Sequence, residues 1–168
     1  MTETLDFVRR AVLIGAGATL VMDVWAALLR QFGVPSLNLD FLGRWIGHLA
    51  RGHWMHVSIA AAAPIRGERW IGWCAHYSIG VAFSALLLWT YGLEWARSPS
   101  VLPALFIGIA TVIAPLLILQ PAMGAGIASW KTPRPFVNSF KSLATHTVFG
   151  LGMYLAALAT ASLLPFGR

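Results

Sequence analysis

Four side chains in this sequence sit in apolar surroundings where their chemistry would matter: Asp23, His76, Gln120 and His146. An acid and an imidazole away from water can hold or pass a proton, because histidine titrates near neutral pH and a membrane-buried carboxylate needs a partner. This suits proton-linked transport or the handling of a small ligand or ion, whose identity the sequence does not give. The same groups suit a second chemistry. His76 and His146 could be the axial ligands of one haem b, with Gly72, Gly80 and Gly150 leaving room for the macrocycle. With Asp23 they would form a two-His-one-carboxylate iron set, and with Met123 a copper set. A third reading needs no chemistry. Asp23 bonded to a histidine, and Gln120 to a carbonyl freed by a proline, would only fix helix register, at about 0.6–2 kcal/mol per bond. No catalytic residues are assigned, since the chain has no nucleophile–base pattern, phosphate loop or HExxH.

The elements that must position these groups are apolar stretches at about 9–31, 70–92, 101–129 and 142–164. Nineteen residues separate Arg10 from Arg30, and all are apolar or small except Thr19 and Asp23. At about 1.5 Å per residue that run matches a hydrocarbon core about 30 Å thick. Small and polar residues recur every fourth position on three spans: Ala11, Gly15, Thr19 and Asp23; Gly72, His76, Gly80 and Ser84; Ser142, His146, Gly150 and Tyr154. The third span carries Pro115, Gln120-Pro121, Gly124 and Gly126, which predict a kink or break lining a cavity or covered by protein. Counted from the flanking charges Arg30, Arg69 and Lys141, the three ionisable groups lie within about 3 Å of one another along the membrane normal. Gln120 lies about a turn deeper and Met123 level with the histidines. The expectation is a buried polar layer of Asp23, His76, Gln120 and His146.

Composition sets the class. The chain is 58% hydrophobic and 11% charged over 168 residues, with mean hydropathy +0.71. Soluble domains carry about 25% charged residues, so this is a membrane protein. The alternating segments of a β-barrel do not occur. Arg9-Arg10 precedes the first apolar run, but that run continues far past Ala16-Gly17-Ala18, as in a retained anchor rather than a cleaved signal. Cys74 is the single cysteine, so no internal disulfide forms. The net charge of +6 is dispersed at span ends and never forms a run, which points to membrane lipid and away from nucleic acid. Arg30, Arg44, Arg51, Arg66, Arg69, Lys131, Arg134 and Lys141 fall on one side, and Arg9, Arg10, Arg97 and Arg168 on the other. The positive-inside rule puts the first set in the cytoplasm and both termini in the periplasm.

The long connection, a cytoplasmic interfacial segment at about 36–66, holds a short amphipathic helix. Phe41, Leu42, Trp45, Ile46 and Leu49 repeat at helical spacing, with Arg44, His48 and Arg51 opposite; Asp40 is the expected N-cap and Gly52 the stop. Arg44, Trp45, His48 and Arg51 are the expected interfacial lipid contacts. His48, His53 and His56 lack a nearby cysteine or carboxylate, so solvated or interfacial histidines are the default over a metal cluster. Trp70, Trp73 and Trp130 would form one aromatic belt, and Trp89 and Trp95 the other.

GAGATLVMDVW (15–25), GVPSLN (33–38), GRWIGH (43–48), AAPIRGE (62–68), GWCAHYSIG (72–80), QPAMGAGIA (120–128), TPRP (132–135) and SLATHTVFGLGMYL (142–155) occur in that order. In this the chain resembles a bacterial family catalogued as domain of unknown function 2938. The resemblance implies a small multi-pass inner-membrane protein and assigns no activity or residue role. The fold expected is all-α: a single transmembrane domain, 1–168, forming an integral membrane four-helix antiparallel bundle with a short interfacial amphipathic helix between spans 1 and 2. Transport through so small a unit would imply a homodimer.

Overall fold

The computed structural model describes residues 2–36 and 38–164, and these are mainly helical with no strand among them. The elements are α1 (Thr2–Gln31), α2 (Leu39–Leu49), α3 (Glu68–Arg97), α4 (Val101–Ala110), α5 (Gln120–Ala122) and α6 (Pro135–Leu163). A π-helical turn at Pro115–Leu119 leads into α5. Four segments are long and apolar enough to cross a membrane: Glu3–Gln31, Glu68–Arg97, Val101–Ala122 and Pro135–Leu163. Only 22–33% of their most apolar windows is buried inside the protein. The remaining surface, including Leu20, Val24, Leu102, Phe106, Ile118 and Leu155, is exposed and apolar. A bilayer covers a surface of that kind without penalty, whereas water would not. The protein is a four-helix membrane bundle.

The helix ends follow local chemistry. After α1, Gly33 takes φ 73°, while Gly33 N–H bonds Arg30 O and Val34 N–H bonds Leu29 O. Gly52 repeats that pattern after α2, with φ 82° and bonds to Leu49 O and from His53 N–H to His48 O. Both are left-handed glycine stops that satisfy the last carbonyls of a helix. The N-cap of α2 is Asn38, whose side chain accepts from Asp40 N–H. Asp40, expected there, lies inside the first turn, where its charge favours the helix N-terminus. The third span stops at Ala122 rather than near 129, because Pro121 and a left-handed Gly124 (φ 96°) end the helix while the hydropathy continues. The fourth helix begins at Pro135, not 142, since proline at the first helical position has no N–H to lose.

The described contacts divide into two compact units. The first comprises Met1–Val34, Tyr77–Thr111 and Thr145–Arg168. Its core takes Ala11, Ile14 and Ala18 from α1, Leu87 and Leu88 from α3, Ala104 and Ile107 from α4, and Phe149, Met153 and Ala157 from α6. Small residues let the backbones touch. A Cβ on Gly15 would fall 2.5 Å from Val81 Cα, and one on Gly108 would fall 2.5 Å from Gly150 Cα. Ser84 also bonds Ala11 O across α3 and α1. Arg10 is 1% exposed. It pairs with Asp6 at 2.9 Å and donates to Leu164 O at 2.8 Å, placing a cation at the C-terminus of α6.

The second unit comprises Pro35–His76 and Val112–Ala144. Here α2 lies directly on the first turns of α3: a Cβ on Gly43 would meet Glu68 O, and one on Gly72 would meet Leu39 O. The amphipathic helix expected at the interface therefore exists, with one face docked on protein.

Candidate functional site

Asp23 lies in the last third of α1. The hydroxyl of Tyr77, on α3, donates to its Oδ2 at 3.1 Å. Tyr77 was not singled out from the sequence; its one signal was its place next to His76 within a span.

His146 sits in the same unit as Asp23, but the hydrogen bonds of the two run to different partners. The Thr111 hydroxyl donates to Gly108 O at 2.7 Å, so its oxygen accepts from His146 Nδ1 at 3.0 Å. That assigns the proton of the neutral ring to Nδ1 and leaves the lone pair on Nε2. Phe83 and Phe149 pack on the ring with centroids 6.4 and 6.5 Å away.

His76 and Gln120 belong to the second unit. The His76 ring stands edge-on to Trp73, centroids 6.2 Å apart. Gln120 donates from Nε2 to Ser142 Oγ at 3.1 Å, while the Ser142 hydroxyl donates to Asn138 O at 3.2 Å. With its only proton spent on Asn138, Ser142 can only accept, which fixes the amide orientation. Gln120 Oε1 is left buried without a hydrogen-bond partner.

The break in the third span is closed by the connection after α2. His56 N–H donates to Ala122 O at 2.9 Å, and Ile59 N–H to Met123 O at 3.0 Å. These are carbonyls that the end of α5 would otherwise leave unpaired. Gly124 permits the contact, since a Cβ there would lie 2.2 Å from Val57 O. Arg44 fastens the connection from behind. Its Nη1 donates to the carbonyls of Ile59, Ala60 and Ala62 at 3.2–3.3 Å. Its Nε and Nη2 hold both oxygens of Glu68 at 2.9 and 2.7 Å. The Glu68 bond holds the guanidinium above its ordinary pKa, against the opposing effect of burial.

Arg44 is thus corrected as a lipid contact: at 9% exposure it is engaged by protein. Trp45 donates from Nε1 to Trp54 O at 3.0 Å, His48 Nε2 bonds Ala63 O at 2.8 Å, and Arg51 is exposed. Nor are all three neighbouring histidines solvated, because both ring nitrogens of His56 are buried without a hydrogen-bond partner. The ring packs on His48 with centroids 5.0 Å apart.

The glycines expected to leave room for a macrocycle are filled by protein. A Cβ on Gly72 would lie 1.9 Å from Leu39 O, one on Gly80 2.0 Å from Thr19 Oγ1, and one on Gly150 2.9 Å from Ala104 O. The small faces bring helices together and do not frame a porphyrin. Among the described residues, no group of three or more His, Cys, Asp or Glu side chains is placed to hold a metal ion. Met123 stands at the end of α5, where its carbonyl serves Ile59.

The family described as Protein of unknown function (DUF2938) has a model that matches residues 12–160. The chain belongs to this family. No curated protein and no solved structure matches it. Asp23, Tyr77, Arg44, Glu68, Gln120 and His146 all fall within the stretch matched to domain of unknown function 2938. Membership therefore covers the whole polar set while leaving its role to be argued from chemistry.

Proposed function

We propose that this protein handles a small solute or ion in the membrane with Asp23 as its proton-binding group, in the manner of a proton-linked transporter. The observation that carries this reading is the hydrogen bond from Tyr77 to Asp23 inside the spanning helices. Inserting a carboxylate costs about 2.5–3.5 kcal/mol, and a hydrogen bond to a charged group returns about 1.5–3 kcal/mol. Tyr77 thus offsets part of that cost and holds an acid in a fixed place within the spans. Gln120 supports the reading from the second unit, because a buried acceptor without a donor suits a solute bearing N–H or O–H groups.

The test uses proteoliposomes loaded with a pH-sensitive dye and challenged with amines, amino acids, polyols and monovalent cations. The expected result is a solute-dependent change in lumenal pH that Asp23→Asn abolishes and Tyr77→Phe slows about tenfold, both variants remaining folded. If no solute moves protons and Asp23→Asn merely lowers the melting temperature, the polar groups are structural and the proposal fails.

A further inference from the structure

Beside the Arg44–Glu68 clamp lies a shallow cleft of about 360 Å³ lined by Arg69, Trp70 and Trp73. These residues open the second span, which runs from Glu68 to Arg97. They therefore sit in its first two turns, at headgroup depth in a bilayer. Arg69 is exposed, Trp70 is 76% exposed and Trp73 38% exposed.

We propose that this cleft is a phospholipid headgroup site selective for an anionic lipid. Glu68 is the carboxylate next to Arg69 in sequence, and both of its oxygens are taken by Arg44, with Ile65 N–H on Oε2 as well. It cannot fold back to neutralise Arg69. The Arg69 guanidinium faces outward and can bind the non-bridging oxygens of a phosphodiester through two parallel N–H donors. Trp70 and Trp73 supply apolar faces for the glycerol and first acyl carbons, and the exposed Trp70 also brings an indole N–H to the ester region. The site is more than a helix terminus, because Glu68 already occupies the first turn of α3 and the guanidinium and indoles make the contacts.

The occupant follows from sign and depth. A zwitterionic headgroup places a second cation near Arg69, whereas phosphatidylglycerol does not. One basic residue near the surface favours an anionic lipid by about fivefold.

The experiment is native mass spectrometry of the full chain in a neutral detergent, with equal amounts of phosphatidylglycerol and phosphatidylcholine, and with inorganic phosphate as competitor. The wild type is expected to retain phosphatidylglycerol about fivefold over phosphatidylcholine. Arg69→Gln should abolish the preference and Arg69→Lys keep most of it. Trp70→Leu should weaken retention of both lipids, a readout that stands even if Arg69→Gln fails to fold. Arg66→Gln, at an exposed arginine in the turn before α3, should change nothing. Equal retention of the two lipids, an equal loss in Arg66→Gln, or displacement by inorganic phosphate at the same concentration would each overturn the proposal.

Discussion

Replacing Arg44 by methionine removes a side chain that ties α2, the start of α3 and the connection between them. Five hydrogen bonds are lost: two charge-assisted bonds to Glu68 at 2.9 and 2.7 Å and three to carbonyls at 3.2–3.3 Å. The Arg44 and Glu68 side chains are 11% and 17% exposed, so the pair is nearer the buried limit than the surface one. Breaking a buried pair costs about 3–5 kcal/mol, and the residual exposure puts Arg44→Met at the low end, about 3 kcal/mol. Glu68→Gln should cost less, because its amide oxygen can still accept from Ile65 N–H. Since both changes remove the same interaction, the double variant should cost about as much as Arg44→Met alone. The assay is reversible unfolding in detergent, run as a double-mutant cycle. Hydrogen exchange at the amides of His56 and Ile59 would show whether the connection lifts from Ala122 and Met123. A loss below about 1 kcal/mol, the level of a solvated surface pair, or additive losses would refute the clamp.

Gly108→Ala should destabilise by about 1–3 kcal/mol, measured by thermal unfolding, because its Cβ would fall 2.5 Å from the Gly150 backbone, with no flexible side chain to yield. Gln120→Met removes a buried oxygen that bonds nothing. Because it also loses the Nε2 bond to Ser142, the two effects offset and the melting temperature should change little, while solute-dependent proton movement is abolished. Arg10→Gln should lower stability by about 2–3 kcal/mol, since Arg10 is 1% exposed, with Asp6 and Leu164 O as partners. The same unfolding assay reads it.

The spans were legible in the sequence because hydropathy and the 3.6-residue period are local properties. The glycine stop at position 52 was legible for the same reason, as was a helix at 39–49. The small residues on α1, α3 and α6 could be seen as a face, but not their use. Sequence spacing cannot tell a groove left for a macrocycle from one filled by a neighbouring backbone, as at Gly80 against Thr19. Arg44 was misread because its partner comes 24 residues later. On the helix alone it lies opposite the apolar stripe and looks available to lipid headgroups. The end of the third span was misplaced because Ile127 and Ala128 keep the stretch apolar, while Pro121 and Gly124 decide the geometry. Tyr77 was passed over beside a histidine that looked more reactive, although a tyrosine hydroxyl is an ordinary donor to a membrane carboxylate.

Infrared difference spectroscopy across a pH step, on protein in lipid, tests most directly whether Asp23 takes up and releases a proton. A protonated-carboxyl band should appear in the wild type, vanish in Asp23→Asn and shift in Tyr77→Phe as its hydrogen bond is lost. A spectrum unchanged by Asp23→Asn would contradict the account.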